Sequence, residues 1–261
     1  MRMRKHGYGW IVGFSLILCC VGAAWAKAPT IAAASDLKFA VEEIAATFSD
    51  DTGREVSLVF GSSGNFYRQI MQGAPFQMFL SADQDFVFKL AEAGKTLDRG
   101  VLYAIGRIVL IVPNGSPLRP DGRLEDLAAA LVDGRLKKFA IANPAHAPYG
   151  QRAEEVLQRA GLWMQIQDKL VIGENVSQAA QFATSGSAQG GIIAYSLALA
   201  PALAKLGNFA LIPEAWHTPL KQRMVLLKGA EETAQIFYRY LQQPAARKIM
   251  QKYGFALPGE P

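Results

Sequence analysis

The sequence predicts an α/β protein of two lobes, each a mostly parallel sheet flanked by helices, with two crossing strands joining them. Three observations predict it. From Ile31 onward, short apolar or β-branched runs alternate with stretches of helical periodicity, the mark of strand–helix units in a doubly wound sheet. The alternation restarts after a long β-branched run at 105–112, which marks a second unit. Four of the strand-to-helix turns open on small neutral hydrogen-bond donors, at the strand ends where ligands of such sheets bind.

The chain begins with an export signal. Arg2, Arg4 and Lys5 form a basic start, residues 10–24 are apolar, and Ala24-Trp25-Ala26 offers small residues at both peptidase positions. The apolar run is short for a membrane span and polar sequence follows, so cleavage after Ala26 is expected, leaving Lys27 first. Lipidation at Cys19 or Cys20 is the rival. Leu18 precedes one and Cys19 the other, where a lipobox has a small residue. Cleavage removes both cysteines, so the 235-residue mature chain carries no disulfide and depends on its core. It also reduces the net charge from +5 to +2, which leaves no electrostatic case for nucleic acid or a membrane surface.

Ile31-Ala32-Ala33-Ala34 is the first strand, and Leu37, Ala40, Val41, Ile44, Ala45 and Phe48 then mark one helix face. Asp51-Thr52-Gly53 stops that helix, and residues 56–60 form the second strand. A helix from Gly64 to Met71 follows, then the strand Met78-Phe79-Leu80 and a helix over 85–93. The second unit reads as strand 105–112, a proline-rich loop to Pro120 and helix 124–131. Strand 139–142, helix 150–160 and strand 170–172 come next, then a helix from Val176 and a buried strand at 190–194. Strand 223–227 and two helices close the chain. The domain reading is a signal at 1–26, a first lobe at 27–104 completed by 226–261, and a second lobe at 105–225. Residues 105–112 and 221–227 are taken as the crossings.

The four turns are Ala34-Ser35-Asp36, Gly61-Ser62-Ser63-Gly64, Pro148-Tyr149-Gly150 and Glu174-Asn175-Val176. The first N–H groups of a helix lack intrahelical acceptors and lie at the positive end of its dipole, so they attract an anion without a lysine or arginine. Alone, each turn is an ordinary cap, and Asn175 with Gln178 resembles a capping box. Four from separated segments suggest an oxyanion receptor.

These residues carry a family resemblance over essentially the whole mature chain. Ala32-Ala33-Ala34-Ser35, Gly61-Ser62-Ser63-Gly64 with Arg68-Gln69-Ile70, and Gly73-Ala74-Pro75 begin it. Phe79-Leu80-Ser81-Ala82-Asp83, Asn143-Pro144 with Ala147-Pro148-Tyr149-Gly150, Glu174-Asn175-Val176 and Tyr253-Gly254-Phe255 continue it in order. The chain resembles the periplasmic molybdate-binding receptors of ABC importers, a branch of the two-lobed substrate-binding proteins. The resemblance implies a monomeric periplasmic receptor that closes on a tetrahedral dianion, molybdate or tungstate, and hands it to an inner-membrane ABC permease. It implies no cofactor beyond the transported ion and no catalysis. Ser35 and Ser63 match hydroxyl and backbone donors of the first lobe, and Tyr149 and Val176 match backbone donors of the second.

Two departures from the pattern set further expectations. Relatives place a ligand-donating tyrosine where this chain has Ala194, so Tyr195 or the Tyr149 hydroxyl is the candidate replacement. Asp36 would repel a dianion, so its carboxylate is expected to turn toward helix N–H groups and only its backbone N–H to face the ion. Such a site holds nothing that titrates near neutrality, and binding is expected to be flat in pH. Ser62 is expected to stabilise its own turn, and Asp83 to cap its helix.

Other readings are a receptor for sulfate or phosphate, a sensory domain reporting anion levels, and a Ser–His hydrolase using His146. After cleavage only His146 and His217 remain, with no His or Cys pair spaced for a metal and no Gly-x-Ser-x-Gly elbow.

Overall fold

The computed structural model describes residues 27–259, so the expected signal at 1–26, with Cys19 and Cys20, lies outside the described residues. Ten strands form two five-stranded sheets. The strands are β1 (Thr30–Ala34), β2 (Ser57–Gly61), β3 (Met78–Ser81), β4 (Val101–Gly106), β5 (Ile108–Pro113), β6 (Phe139–Ala142), β7 (Leu170–Gly173), β8 (Gly191–Ala194), β9 (Gly207–Leu211) and β10 (Leu220–Leu226). The first sheet has the order β2-β1-β3-β10-β4 and the second β7-β6-β8-β5-β9. In each sheet four strands run one way and one runs against them, β10 in the first and β5 in the second.

Sequence composition explains which strands are central. All residues of β3, β6 and β8 are buried, as are Ile31 to Ala34 of β1, because helices cover both faces and the strands are apolar but for Ser81. The edge strands β2 and β7 keep exposed positions, and their sequences are correspondingly mixed.

The stretch read as one strand over 105–112 is two. β4 ends at Gly106, Arg107 breaks the ladder, and β5 starts at Ile108 in the other sheet. The stretch read as a crossing at 221–227 is also different. β10 pairs with β3 and β4 of the first sheet along its length, and the chain changes sheet between Leu211 and Leu220. Arg107 on the first crossover and Glu214 on the second form an ion pair at 2.6 Å. Strand β9, only five residues long and with no buried position, carried too little pattern to be read.

The helix Lys38–Thr52 buries Ala40, Val41, Ile44 and Phe48 on its periodic face. The two last helices, Glu232–Tyr240 and Pro244–Lys252, return to it. Phe48 meets Phe237 edge-on at 5.1 Å and Tyr240 at 5.3 Å. Lys252 Nζ and Tyr253 Oη donate to the Glu43 carboxylate at 2.7 and 2.9 Å, and Lys252 holds that carboxyl below its usual range. The outcome for the site is positional: β1, β2, β6 and β7 all end at the seam between the sheets.

Candidate functional site

Each of the four strand ends passes into a helix start. β1 leads into the single 3-10 turn Ser35–Leu37, and β2 leads through Ser62 into the helix Ser63–Met71. β6 leads into Pro148–Arg159, with Ala147 as its N-cap, and β7 into Val176–Thr184. Asn175 caps the last by accepting from the Gln178 N–H at 3.1 Å, while Gln178 Oε1 accepts from the Glu174 N–H at 2.6 Å. The expected capping box is present, shifted by one residue on its return bond. Asp83 caps the helix Gln84–Glu92 through the Asp85 N–H at 2.9 Å, as expected.

Ser35, Asp36, Ser63, Tyr149 and Val176 come together around one cavity. Its free volume is small, about 10 Å³. That is room for one very small species, on the order of a single water, whereas organic-ligand pockets run to roughly 300–1,000 Å³. No lysine or arginine lines it. Polarity is supplied by hydroxyls and by helix N–H groups that have no intrahelical acceptor.

The hydroxyls divide into free and committed. Ser63 Oγ accepts from the Ala82 N–H at 2.9 Å and Ser35 Oγ accepts from the Ser177 N–H at 3.4 Å. In both bonds the serine oxygen is the acceptor, so its own proton remains to be donated. Ser62 was expected to stabilise its turn. It makes no cap bond, and its Oγ instead lies 2.8 Å from Nδ1 of His146 in the opposite lobe. His146 Nε2 is 3.5 Å from Glu174 Oε1, and Glu174 in turn accepts from Asn65 of the first lobe. The Ser–His contact considered from sequence therefore exists, through Ser62, as a contact between lobes. Gly64 sits under the same histidine. Its N–H donates to the His146 carbonyl at 3.0 Å, and a Cβ there would lie 2.5 Å from that oxygen.

Two expectations are corrected. Asp36 does not turn to helix N–H groups. Its carboxyl is 1% exposed, and Oδ2 accepts from Gln222 Nε2 at 2.6 Å and from Tyr149 Oη at 3.0 Å. The competing pull is the buried amide of Gln222 on β10, a fully buried polar residue that sequence reading missed. Burial raises the Asp36 carboxyl to about 6, against the lowering effect of those two hydrogen bonds and of the Asp36 backbone N–H. The Tyr149 hydroxyl is thereby taken by Asp36, and it fits only because Gly106 has no Cβ to meet it. Tyr195 is the second correction. Its ring packs edge-on against Phe209 at 5.6 Å and covers Gly254, away from the cavity. Its neighbour Ser196 reaches the site instead, donating to the Asp36 carbonyl at 2.7 Å.

Comparison with known proteins agrees with this geometry. A family model described as bacterial extracellular solute-binding protein matches residues 29–256. The chain belongs to that family. As a solute-binding protein it is 39% identical over 227 residues to a molybdate-binding protein of Rhodobacter capsulatus, covering 86% of each chain. It is 35% identical over 249 residues to the molybdate-binding protein of Azotobacter vinelandii, covering 94% of this chain and 95% of that one. The solved periplasmic molybdate-binding protein of Azotobacter vinelandii superposes with a TM-score of 0.78 at 30% identity, over 88% of this chain and 99% of that one. Two sheets flanked by helices around a seam are the architecture the sequence predicted, and the family is one of binders of small solutes.

Proposed function

We propose that this protein is a periplasmic receptor for a tetrahedral oxyanion, molybdate or tungstate, which it delivers to an inner-membrane ABC permease. One observation carries the reading. Helix starts from both lobes, with the free hydroxyl protons of Ser35 and Ser63, surround one small cavity lined by no cation. Neutral donors of this kind suit a full dianion, which has no proton to give and many lone pairs to fill. Ser35 and Ser63 donate through hydroxyl and backbone, Tyr149 and Val176 through backbone N–H groups, and Asp36 through its own N–H. All of these reach the oxygens of the ion and none the metal at its centre.

The names of the Rhodobacter and Azotobacter relatives support molybdate over other oxyanions. The basic, apolar and Ala24-Trp25-Ala26 segments support export with cleavage after Ala26. The lobes are 27–106 with 220–261, and 107–219, closing about the two crossovers. The test is calorimetric titration with molybdate, tungstate, sulfate and phosphate. One-to-one binding of molybdate or tungstate, with sulfate and phosphate weaker, is the expected result. Binding of none of the four would remove the reading, and preference for phosphate would reassign the ligand.

A further inference from the structure

The hydrogen-bond inventory around Asp36 is unusual for the wall of an anion cavity. Oδ2 receives two donors, Gln222 Nε2 at 2.6 Å and Tyr149 Oη at 3.0 Å, which fill both of its lone pairs. Gln222 Oε1 accepts from Tyr103 Oη at 2.8 Å, which leaves the amide NH2 facing Asp36. Oδ1 is buried and has no protein partner. Ionised, it would be an unpaired buried charge on a residue that lines a site for a dianion, a costly arrangement.

We propose that Asp36 is a neutral carboxylic acid when the lobes close on the oxyanion, with its proton on Oδ1 as an additional hydrogen-bond donor to the ion. The proposal rests on the oxyanion reading above and concerns the same cavity, which Asp36 lines. In the open receptor the carboxyl is hydrated and ionised. Closing takes one proton from solvent, forming the O–H bond at Oδ1, and opening returns it.

Three donors favour the charged form, the Gln222 amide, the Tyr149 hydroxyl and the Asp36 backbone N–H, and burial outweighs them. The titratable groups facing Asp36 are Tyr149 on Pro148–Arg159 and Tyr103 on β4, and burial holds both hydroxyls protonated, well above 10. Val176–Thr184 and Tyr195–Leu199 present the neutral Ser177 and Ser196 to the Ser35–Asp36 turn, and β10 presents Gln222. Lys38, next on its own helix, is exposed, and no cation contributes to the state of the carboxyl. The balance of burial against these donors raises the carboxyl to about 6, and an adjacent dianion pushes in the same direction as burial. Binding is then proton-linked, in place of the flat profile expected from sequence.

The experiment is calorimetry of the wild-type protein with sodium molybdate at pH values from roughly 5.5 to 7.5, where ordinary carboxyls ionise and molybdate is a dianion. Each titration is run in two buffers of different ionisation enthalpy, so that proton uptake is read directly. Uptake approaching one proton, with affinity falling toward about tenfold per pH unit, is expected. Asp36→Asn places an amide donor where the acid proton would be. It should bind without proton uptake, with a flat profile, and at least about tenfold more tightly than wild type near pH 7.5. A flat wild-type profile with no proton exchange overturns the proposal, and so does an Asp36→Asn protein that binds more weakly than wild type near that pH. Absence of any binding heat across the range removes the oxyanion reading itself, and is distinguishable from both.

Discussion

Replacing Ser63 and Ser62 one at a time tests which hydroxyl faces the ion. Ser63 is fully buried, and its oxygen is already an acceptor for the Ala82 N–H at 2.9 Å, so its proton is free for the anion. Ser63→Ala removes a hydrogen bond to a charged partner, about 1.5–3 kcal/mol, and should weaken molybdate binding about ten- to a hundredfold. It also orphans the Ala82 N–H, so the ligand-free protein should lose about 1–3 kcal/mol of stability in urea. Ser62 is committed to His146 across the seam, and Ser62→Ala loses one neutral bond of the closed form. That bond is worth about 0.5–1.5 kcal/mol, or about two- to tenfold in affinity. Calorimetry at one pH and salt concentration measures both. Equal losses, or a larger loss at Ser62, would refute the assignment of free and committed hydroxyls.

Closure should be blocked by Gly64→Ala, because its Cβ would lie 2.5 Å from the His146 carbonyl. Overpacking of about 1–3 kcal/mol should cost about five- to a hundredfold in affinity while the ligand-free melting curve stays near wild type, and unchanged affinity would refute the contact. Molybdate should protect the amides of Ser35, Ser63, Tyr149 and Val176 from hydrogen exchange, since each acquires an acceptor. Protection confined to one lobe would refute a site shared by two. With the lobes closed Asp36 is raised from 3.8 to about 6, so the closed form holds its proton more tightly than the unfolded chain. Stability from this group is fully present below about pH 4 and lost as pH rises through about 6, a cost of up to about 3 kcal/mol. The stability difference between wild type and Asp36→Asn, followed by urea unfolding, should therefore widen with pH over that window, and a constant difference would refute it.

What the sequence made legible was local. The strand ends at Ala34, Gly61 and Ala142 and the helix starts beyond them follow from apolar runs meeting small polar residues, a pattern contained within ten residues of chain. Ser35, Ser63, Tyr149 and Val176 do line one cavity. What could not be read was the identity of partners across the seam. Gln222 stands 186 positions from Asp36 and looks in sequence like an outward position of a strand, yet it is fully buried. Its signal is visible only in hindsight, as a lone amide between the apolar ends of β10. Tyr195 failed for a different reason. A one-residue offset after β8 turns a side chain to the other side, so Ser196 reaches Asp36 while Tyr195 packs on Phe209.

The seam also explains how one ion can control the shape of the protein. Ser177 donates to the Ser35 carbonyl at 2.8 Å, Ser62 pairs with His146, Gly64 donates to the His146 carbonyl, and Tyr149 and Ser196 donate to Asp36. Each of these bonds joins the lobes, and each is replaced by a bond to water on opening, so its net worth is about 0.5–1.5 kcal/mol. Against them stand the ordering of the crossovers and, above pH 6, the cost of burying Asp36 with its charge or of protonating it. Terms of similar size and opposite sign leave the ligand-free equilibrium near balance. An ion that contacts both lobes gains its donors only when they are closed, so its whole binding energy acts on that equilibrium. Release follows from the same arithmetic: any contact that prises Ser62 from His146 or Tyr149 from Asp36 also takes away half of the donors that hold the ion.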